Sequence, residues 1–432
     1  MRITFRSTNA KAAWQSLQAL AAASTPVSAL VGASVAPEAE DIAILDAGPE
    51  RVAEARLLAQ SLRSQDHPPV MVLAAAPLAF PPPTGFGDGG GLFDGWLPLD
   101  NSPVALGRQV DRAKRLASAR YELSSRRRTA ERLRIATPAA GPARKLKVIY
   151  IGAPQPFFLS LERWTHAHDG VLTAAFTSFS GFDHLHDEAY DAAVLNAQED
   201  PQTALTICGA LRRNAGLHHL PTFVITAPGD EATKALAFER GASVVSSGED
   251  PISLNWLFEA IRVERARAAV ERGLFALRDQ MGEPRAGLFR PNAFLTHLDT
   301  LCADHADGSR ALSLVALQML PLAANAPLDT GDWALAVTEA ASLVGRLIRA
   351  SDCATLIDDT IVLALTCTNH AGACKTVDRI VAVTDCTSFA GADAAAGGFV
   401  IAHSVIQQDP GEAAGALLER LLSPFTVRSL RA

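Results

Sequence analysis

Short apolar runs alternate with stretches of helical periodicity along the first 125 residues. Apolar runs such as "DIAILDAG" and "PPVMVLAA" have the length and composition of buried strands, and "ERVAEARLLAQSLRSQ" between them has a helical pattern. Strands that alternate with helices in this way are typical of a parallel sheet covered by helices. Residues 1–125 are therefore predicted to form an α/β domain, closed by a long helix that starts near residue 103.

The same alternation restarts after a segment rich in Pro, Gly and Ala, "TPAAGPARK". The runs "KLKVIYIG", "YDAAVLNAQ", "PTFVITAPG" and "ASVVSS" take the same strand positions as in the first domain. This is a repeat of architecture, with little repetition of individual residues. We expect a second α/β domain at 145–265, separated from the first by a helix end and linker at 126–144. Each domain is expected to contain a five-stranded parallel sheet with helices on both faces.

A mixed pattern follows from residue 266 to the end of the chain. A connecting helix is predicted at 266–284, within a helical pattern that begins near residue 252. Residues 285–432 then combine the strand candidates "ALSLVALQML", "TIVLALT" and "GGFVIAHSVI" with two helical stretches. This third domain is predicted to be α+β.

Composition narrows the classes of function. The formal charge of -7 argues against a surface that wraps nucleic acid, and 48% hydrophobic residues are enough for each domain to bury a core. No long apolar run lacks polar breaks, so we expect no membrane insertion. The six cysteines show no spacing typical of a disulfide framework, which favours a reducing, cytoplasmic setting.

Several motifs carry a resemblance to a known family. The segment "AGLFRPNAFLTHL" (286–298) is similar to the opening signature of GGDEF domains, which have the nucleotidyl cyclase palm fold. An Arg-x-x-Asp, Arg349 and Asp352, precedes the position of the GGDEF hairpin by the usual distance. The first two domains resemble flavodoxin-like receiver domains. The order receiver, receiver, GGDEF is that of PleD-like proteins, and the eroded signature resembles the PopA-like cyclic di-GMP effectors.

The resemblance implies that the cyclase chemistry is lost. The signature glycines align with Asp358 and Asp359, and the acidic pair that follows aligns with Thr360 and Ile361. A metal-binding Asp of the family aligns with Gln318, a poor ligand for a hard cation. Carboxylates at the phosphate approach would repel a triphosphate. We expect no enzyme activity and no bound metal, and interpret the segment as an ordinary charged hairpin turn.

The Arg-x-x-Asp motif corresponds to the family's site for cyclic di-GMP. A guanidinium can pair with guanine or phosphate and stack on a base, and a carboxylate can accept from guanine N–H groups. The resemblance adds Arg379, from the following helix, as a third ligand. The alternative for Arg349 and Asp352 is a surface ion pair.

The receiver-like domains lack most residues of a phosphorylation site. In the first domain Asp46 stands where the phosphoacceptor belongs, although an acidic pair, Thr and Lys are missing; the alternative is a strand-terminal turn aspartate. In the second domain Asn196 replaces the acceptor and Gly152-Ala153 the acidic pair. The second domain is therefore interpreted as an interaction or dimerisation adaptor.

Two further segments resemble functional sites but are interpreted as ordinary structural features. The basic run "SSRRRTAERLR" is interpreted as a solvated helix face, with a docking surface as the alternative. The segment "CTNHAGAC", with Cys367, His370 and Cys374, lacks a fourth obvious ligand and is interpreted as a loop in preference to a zinc site.

The leading hypothesis is a non-catalytic effector and scaffold that binds cyclic di-GMP. The resemblance further implies recruitment to a cell pole and delivery of the cell-cycle regulator CtrA, through the adaptor RcdA, to the ClpXP protease. It also implies homodimerisation through the receiver domains as an option. One alternative is a diguanylate cyclase with residual or phosphorylation-gated activity, and another is a response regulator driven by Asp46.

Overall fold

The computed structural model describes most of the chain. The described residues are 3–7, 18, 20, 28–31, 41–65, 68–80, 82, 92–99, 102–137, 144–247, 252–283, 286–306, 310–321, 330–387, 389 and 399–429. The segment "AKAAWQSLQALAAA" (10–23), whose pattern predicts a helix, lies almost entirely outside these ranges. The Gly-rich segment "GFGDGGG" (85–91) and the middle of the linker also lie outside them.

The first sheet has five parallel strands in the order β2-β1-β3-β4-β5. Its strands are β1 Ile3–Ser7, β2 Ser28–Val31, β3 Ile42–Asp46, β4 Met71–Ala76 and β5 Gly95–Pro98. The accompanying helices are α1 Val52–Arg63 and α2 Pro103–Arg132. Every residue of β3 and β4 is buried, as expected for continuous apolar runs inside a parallel sheet.

The second sheet repeats this topology in the order β10-β9-β8-β6-β7. Its strands are β6 Leu146–Ile151, β7 Gly170–Ala175, β8 Ala192–Asn196, β9 Thr222–Ile225 and β10 Val244–Ser246. Its helices are α3 Pro156–Ala167, α4 Ser178–Asp187, α5 Pro201–Arg213, α6 Glu231–Glu239 and α7 Ile252–Met281. Numbered locally, both sheets have the order 2-1-3-4-5 of doubly wound flavodoxin-like folds. The predicted pair of five-stranded parallel sheets is confirmed.

The third sheet has four antiparallel strands in the order β12-β13-β11-β14. Its strands are β11 Leu312–Pro321, β12 Cys353–Ile357, β13 Thr360–Thr366 and β14 Phe399–Gln407. Its helices are α8 Pro291–Asp304, α9 Thr330–Leu347, α10 His370–Asp385 and α11 Ala414–Ser429. The core between sheet and helices contains Val315, Leu363 and Ile380. The α+β expectation is confirmed.

The chain divides into two compact units whose limits fall inside the long helices. One unit consists of Ser118–Ala140 and Ala269–Ala432, and the other of Arg2–Ala117 and Gly141–Ala268. The second part of α2 and the last turns of α7 thus belong with the antiparallel sheet. The predicted limit at residue 125 lies within α2, a helix of 30 residues. No described helix is both long and apolar enough to cross a membrane.

Candidate ligand pocket

A pocket lies between the end of α9, the start of β12, the segment 287–289 and the last turns of α7. The pocket is open to solvent, and the empty space between its lining residues and at its mouth is about 330 Å³. Both residues of the Arg-x-x-Asp motif, Arg349 and Asp352, line this pocket. The structure therefore brings together two of the three residues predicted to bind the ligand.

The Arg-x-x-Asp segment is a tight turn closed by two reciprocal hydrogen bonds. The Asp352 backbone N–H donates to the Arg349 carbonyl at 2.9 Å, and the Arg349 backbone N–H donates to Asp352 Oδ2 at 3.0 Å. The turn leaves the Arg349 side chain exposed and Asp352 buried, with 7% of its surface accessible. The other carboxylate oxygen, Oδ1, has no hydrogen-bond donor among the described residues. A buried acceptor without a donor is costly, and a ligand N–H group could satisfy it.

Burial raises the pKa of Asp352 to about 6. The backbone N–H and the positive charge of Arg349 act in the opposite direction and lower this pKa, but burial outweighs them. The carboxyl group therefore changes its charge close to neutral pH.

Arg379 lies beside the pocket turn and does not line the pocket. Its side chain on α10 is exposed, and Nη2 donates to the Leu347 carbonyl at 2.8 Å. That carbonyl lies at the C-terminal end of α9, where a cation is favourable for the unsatisfied carbonyls of the helix. In this arrangement Arg379 supports the helix end, two residues before Arg349.

A buried arginine, Arg126 of α2, contacts residues that line the pocket. Nη2 donates to the Asp352 carbonyl at 2.9 Å and Nη1 to the Leu274 carbonyl on α7 at 3.0 Å. Its guanidinium carbon lies 5.1 Å from the ring centroid of Phe289, a residue of the pocket wall. We call this set of contacts the Arg126 clamp. It joins α2, α7 and the pocket turn through a side chain that is only 1% exposed.

The charge of Arg126 is balanced by Glu122, one helical turn earlier. Arg126 Nε donates to Glu122 Oε1 at 2.7 Å, and His297 Nε2 lies 2.9 Å from the same oxygen. Burial alone would raise the pKa of Glu122, but His297 and Arg126 outweigh it and lower this pKa to about 2. The carboxylate therefore stays ionised across the ordinary pH range.

Sequence reasoning missed this buried charge cluster. The basic run was interpreted as a solvated face, which holds for Arg127 and Arg128 but is wrong for Arg126. A local signal was present, because Glu122, Arg126 and Thr129 share one helix face together with apolar positions.

A two-residue hairpin turn joins β12 and β13. Ile357 pairs with Thr360, and Asp358 and Asp359 at the tip are exposed. Asp358 adopts a φ of 51°, in the left-handed region where glycine is preferred and aspartate tolerated. Gln318 of β11 pairs with Thr360, the first residue of β13 after the turn. The expected charged hairpin turn is present.

Asp46 ends β3 at the carboxyl edge of the first sheet. It is buried, and Oδ2 accepts from Ser7 Oγ at 2.7 Å and from Arg51 Nε at 2.7 Å. At the corresponding place in the second sheet, Asn196 Nδ2 donates to the Ala153 carbonyl at 2.8 Å. Both polar residues thus lie where sheets of this strand order bind their ligands.

The described ranges include the Cys367, His370 and Cys374 side chains of the zinc alternative. Within them, no group of three or more His, Cys, Asp or Glu side chains is placed to hold a metal ion. His370 Nδ1 lies 3.6 Å from Cys374 Sγ, one turn apart at the start of α10.

No protein-family model matches the chain, and no curated protein matches it. Among solved structures, the chain is similar to the GGDEF domain of DgcB from Caulobacter crescentus in complex with c-di-GMP. The sequence identity is 15% and the TM-score is 0.30, and the match covers 35% of this chain and 91% of that one. It is similar to the FimX GGDEF domain from Pseudomonas aeruginosa at 14% identity and a TM-score of 0.30, covering 35% and 95%.

A third solved structure, the C-terminus of RcsC from E. coli with its phosphoreceiver domain, is similar over 62% of this chain and 94% of that one, at 13% identity and a TM-score of 0.24. At these identities and scores, function has to be argued from the chain's own residues.

Proposed function

We propose that the protein is a non-catalytic effector that binds cyclic di-GMP in the pocket of Arg349 and Asp352. The observation that carries the proposal is that two groups line the same pocket: an exposed guanidinium, and a buried carboxylate of which one oxygen has no hydrogen-bond donor among the described residues. Both belong to one closed turn, so the backbone positions from which the two side chains extend, and the Asp352 carboxylate, are fixed before a ligand arrives. A preformed site loses little conformational entropy on binding.

The chemistry of this pair suits a guanine nucleotide. The guanidinium offers a planar fork that matches the O6 and N7 atoms of guanine or the oxygens of a phosphate. The carboxylate can accept from guanine N1–H and N2–H, which would provide the missing donors for Asp352 Oδ1. Arg379 adds positive charge near the turn for an anionic ligand.

The hairpin supports a role in binding and argues against synthesis of the dinucleotide. Joining two GTP molecules depends on metal ions held by carboxylates close to the phosphates. Gln318 offers a neutral amide at this place, and the carboxylates of Asp358 and Asp359 add negative charge at the turn.

The wider role rests on the sequence resemblance alone. A receiver–receiver arrangement followed by a degenerate GGDEF domain, as in PopA-like effectors, suits a scaffold that brings protein partners together when the ligand binds. In this proposal the protein acts at a cell pole and promotes proteolysis of CtrA by ClpXP through RcdA.

Calorimetric titration of the full chain with cyclic di-GMP tests the binding site. Arg349→Ala should weaken binding at least ten-fold, on the order of 1.5–3 kcal/mol for a charge-assisted contact. Arg349→Lys should restore little, because an ammonium group lacks the planar fork.

Arg346→Ala is the matched control, since Arg346 is an exposed arginine on α9 that does not line the pocket. It should bind as the parent does. If folded Arg349→Ala keeps the parent affinity, the binding proposal is wrong.

A further inference from the structure

The last turns of α7 contribute an aromatic ring and a second guanidinium to the same pocket. Phe275 and Arg278 both line it. Phe275 is 40% exposed, although burial of a phenylalanine side chain is usually favourable by about 1.5–3 kcal/mol. The fold thus leaves an apolar ring partly uncovered at the pocket wall.

Arg278 stacks on this ring. Its guanidinium carbon lies 4.9 Å from the Phe275 ring centroid, within the range of a cation–π contact. Arg278 Nη2 also donates to Asp279 Oδ1 at 3.2 Å, which restricts the orientation of the guanidinium plane. A guanidinium and an aromatic ring are therefore in contact where α7 meets the pocket.

The pocket leaves space for a flat group near this contact. A Cβ atom at Gly287, another lining residue, would meet nothing within 4 Å. The pocket is also lined by Arg349 and by Asp352, whose Oδ1 has no hydrogen-bond donor in the described part of the chain. Stacking on an aromatic ring or an arginine plane recognises the face of a base, whereas a carboxylate recognises its edge.

We propose that Phe275 and Arg278 form a stacking platform for a purine base of the ligand, while Asp352 binds the edge of that base. This inference rests on the proposed binding of cyclic di-GMP. It places a specificity-determining contact on α7, outside the antiparallel sheet and outside the Arg-x-x-Asp turn. In this proposal the ligand contacts α7 directly, without an intermediate protein contact.

The test is calorimetric titration of the full chain with cyclic di-GMP, using variants at position 275. Phe275→Ala should weaken binding roughly ten-fold, as expected when one base loses a stacking partner. Phe275→Leu keeps an apolar side chain but removes the ring, so it should weaken binding to a similar degree. Phe275→Trp should bind at least as tightly as the parent, and the emission of the added tryptophan should be quenched during the titration.

Phe179→Ala is the matched control, because Phe179 is a phenylalanine of α4 that is 77% exposed. It should bind as the parent does. Parent-like affinity of Phe275→Ala, or of Phe275→Leu, overturns the stacking platform; if Phe275→Ala does not fold, the Leu and Trp variants decide.

Failure of this inference is distinct from failure of the proposed function. If the parent binds and Arg349→Ala does not, but position 275 has no effect, only the platform is wrong. If the parent itself does not bind cyclic di-GMP, the proposed function fails and the platform fails with it.

Discussion

Asp352 is the residue whose charge state is most sensitive to solution conditions. Burial raises its pKa to about 6, whereas an aspartate in the unfolded chain titrates near 3.9. Between these values the folded protein holds a proton that the unfolded chain has lost. The contribution of Asp352 to the free energy of unfolding is therefore greatest below about pH 4 and is lost as the pH rises through 6.

Asp352→Asn should remove this pH dependence, because an amide does not titrate. Relative to the parent, the free energy of unfolding of the variant should rise between about pH 4 and pH 7. Urea unfolding at several pH values measures the difference. A difference that stays constant over this range would contradict the raised pKa.

Arg126 is the residue whose buried contacts connect α2 and α7 to the pocket turn. Arg126→Met removes one partner of a buried ion pair and leaves the Glu122 carboxylate with less compensation, at a cost of about 3–5 kcal/mol. Arg127→Met is the matched control, since Arg127 is exposed, and should change the free energy of unfolding by less than about 0.5 kcal/mol. Chemical denaturation compares the two, and equal losses would show that the Arg126 clamp stabilises little.

At the scale of elements, the β12–β13 hairpin is the place where the proposed non-catalytic role is tested against the cyclase alternative. We expect no cyclic di-GMP when the purified chain is incubated with GTP and Mg²⁺, because the neutral amide of Gln318 is a poor metal ligand and the carboxylates of Asp358 and Asp359 repel a triphosphate. Chromatography of the nucleotides measures the product. Product that appears with the parent and disappears with Asp359→Ala would establish the cyclase alternative.

The elements were largely predictable from local pattern. Most strands of the three sheets and the charged hairpin turn follow from runs of residues that are neighbours in sequence. The edge strands β7 and β12 were not among the predicted strands. The clamp was not predictable, because Arg126 contacts carbonyls of Leu274 and Asp352, which are 148 and 226 residues away. The helix face shared by Glu122, Arg126 and Thr129 indicates that Arg126 is buried. A backbone carbonyl has no signature in residue identity, however, so the sequence does not show which carbonyls Arg126 contacts.

At the scale of the whole molecule, the two parallel sheets place different polar residues at matching positions. Asp46 and Asn196 each end the third strand of a sheet, and only the first is a carboxylate. Both Ser7 and Arg51 donate to Asp46 Oδ2. A phosphoryl transfer to this carboxylate needs Mg²⁺ beside it, and the Arg51 cation lies at that carboxylate.

We therefore expect no stable labelling of the parent by acetyl phosphate in the presence of Mg²⁺. Asp46→Asn is the matched control and should give the same background signal. Intact-protein mass spectrometry measures the added phosphoryl group. A stable adduct on the parent that is lost in Asp46→Asn would establish the response-regulator alternative.

The Arg126 clamp also has a consequence for how the sequence can change in evolution. Its two bonds to α7 and to the pocket turn are accepted by peptide carbonyls, which every amino acid supplies. Mutation can therefore replace the side chain at position 274 without breaking the contact, while a change at 126 removes both bonds at once. Over long divergence, position 126 should remain arginine while position 274, which is buried, varies among apolar helix-forming residues, so the architecture of the pocket can outlast recognisable similarity of sequence.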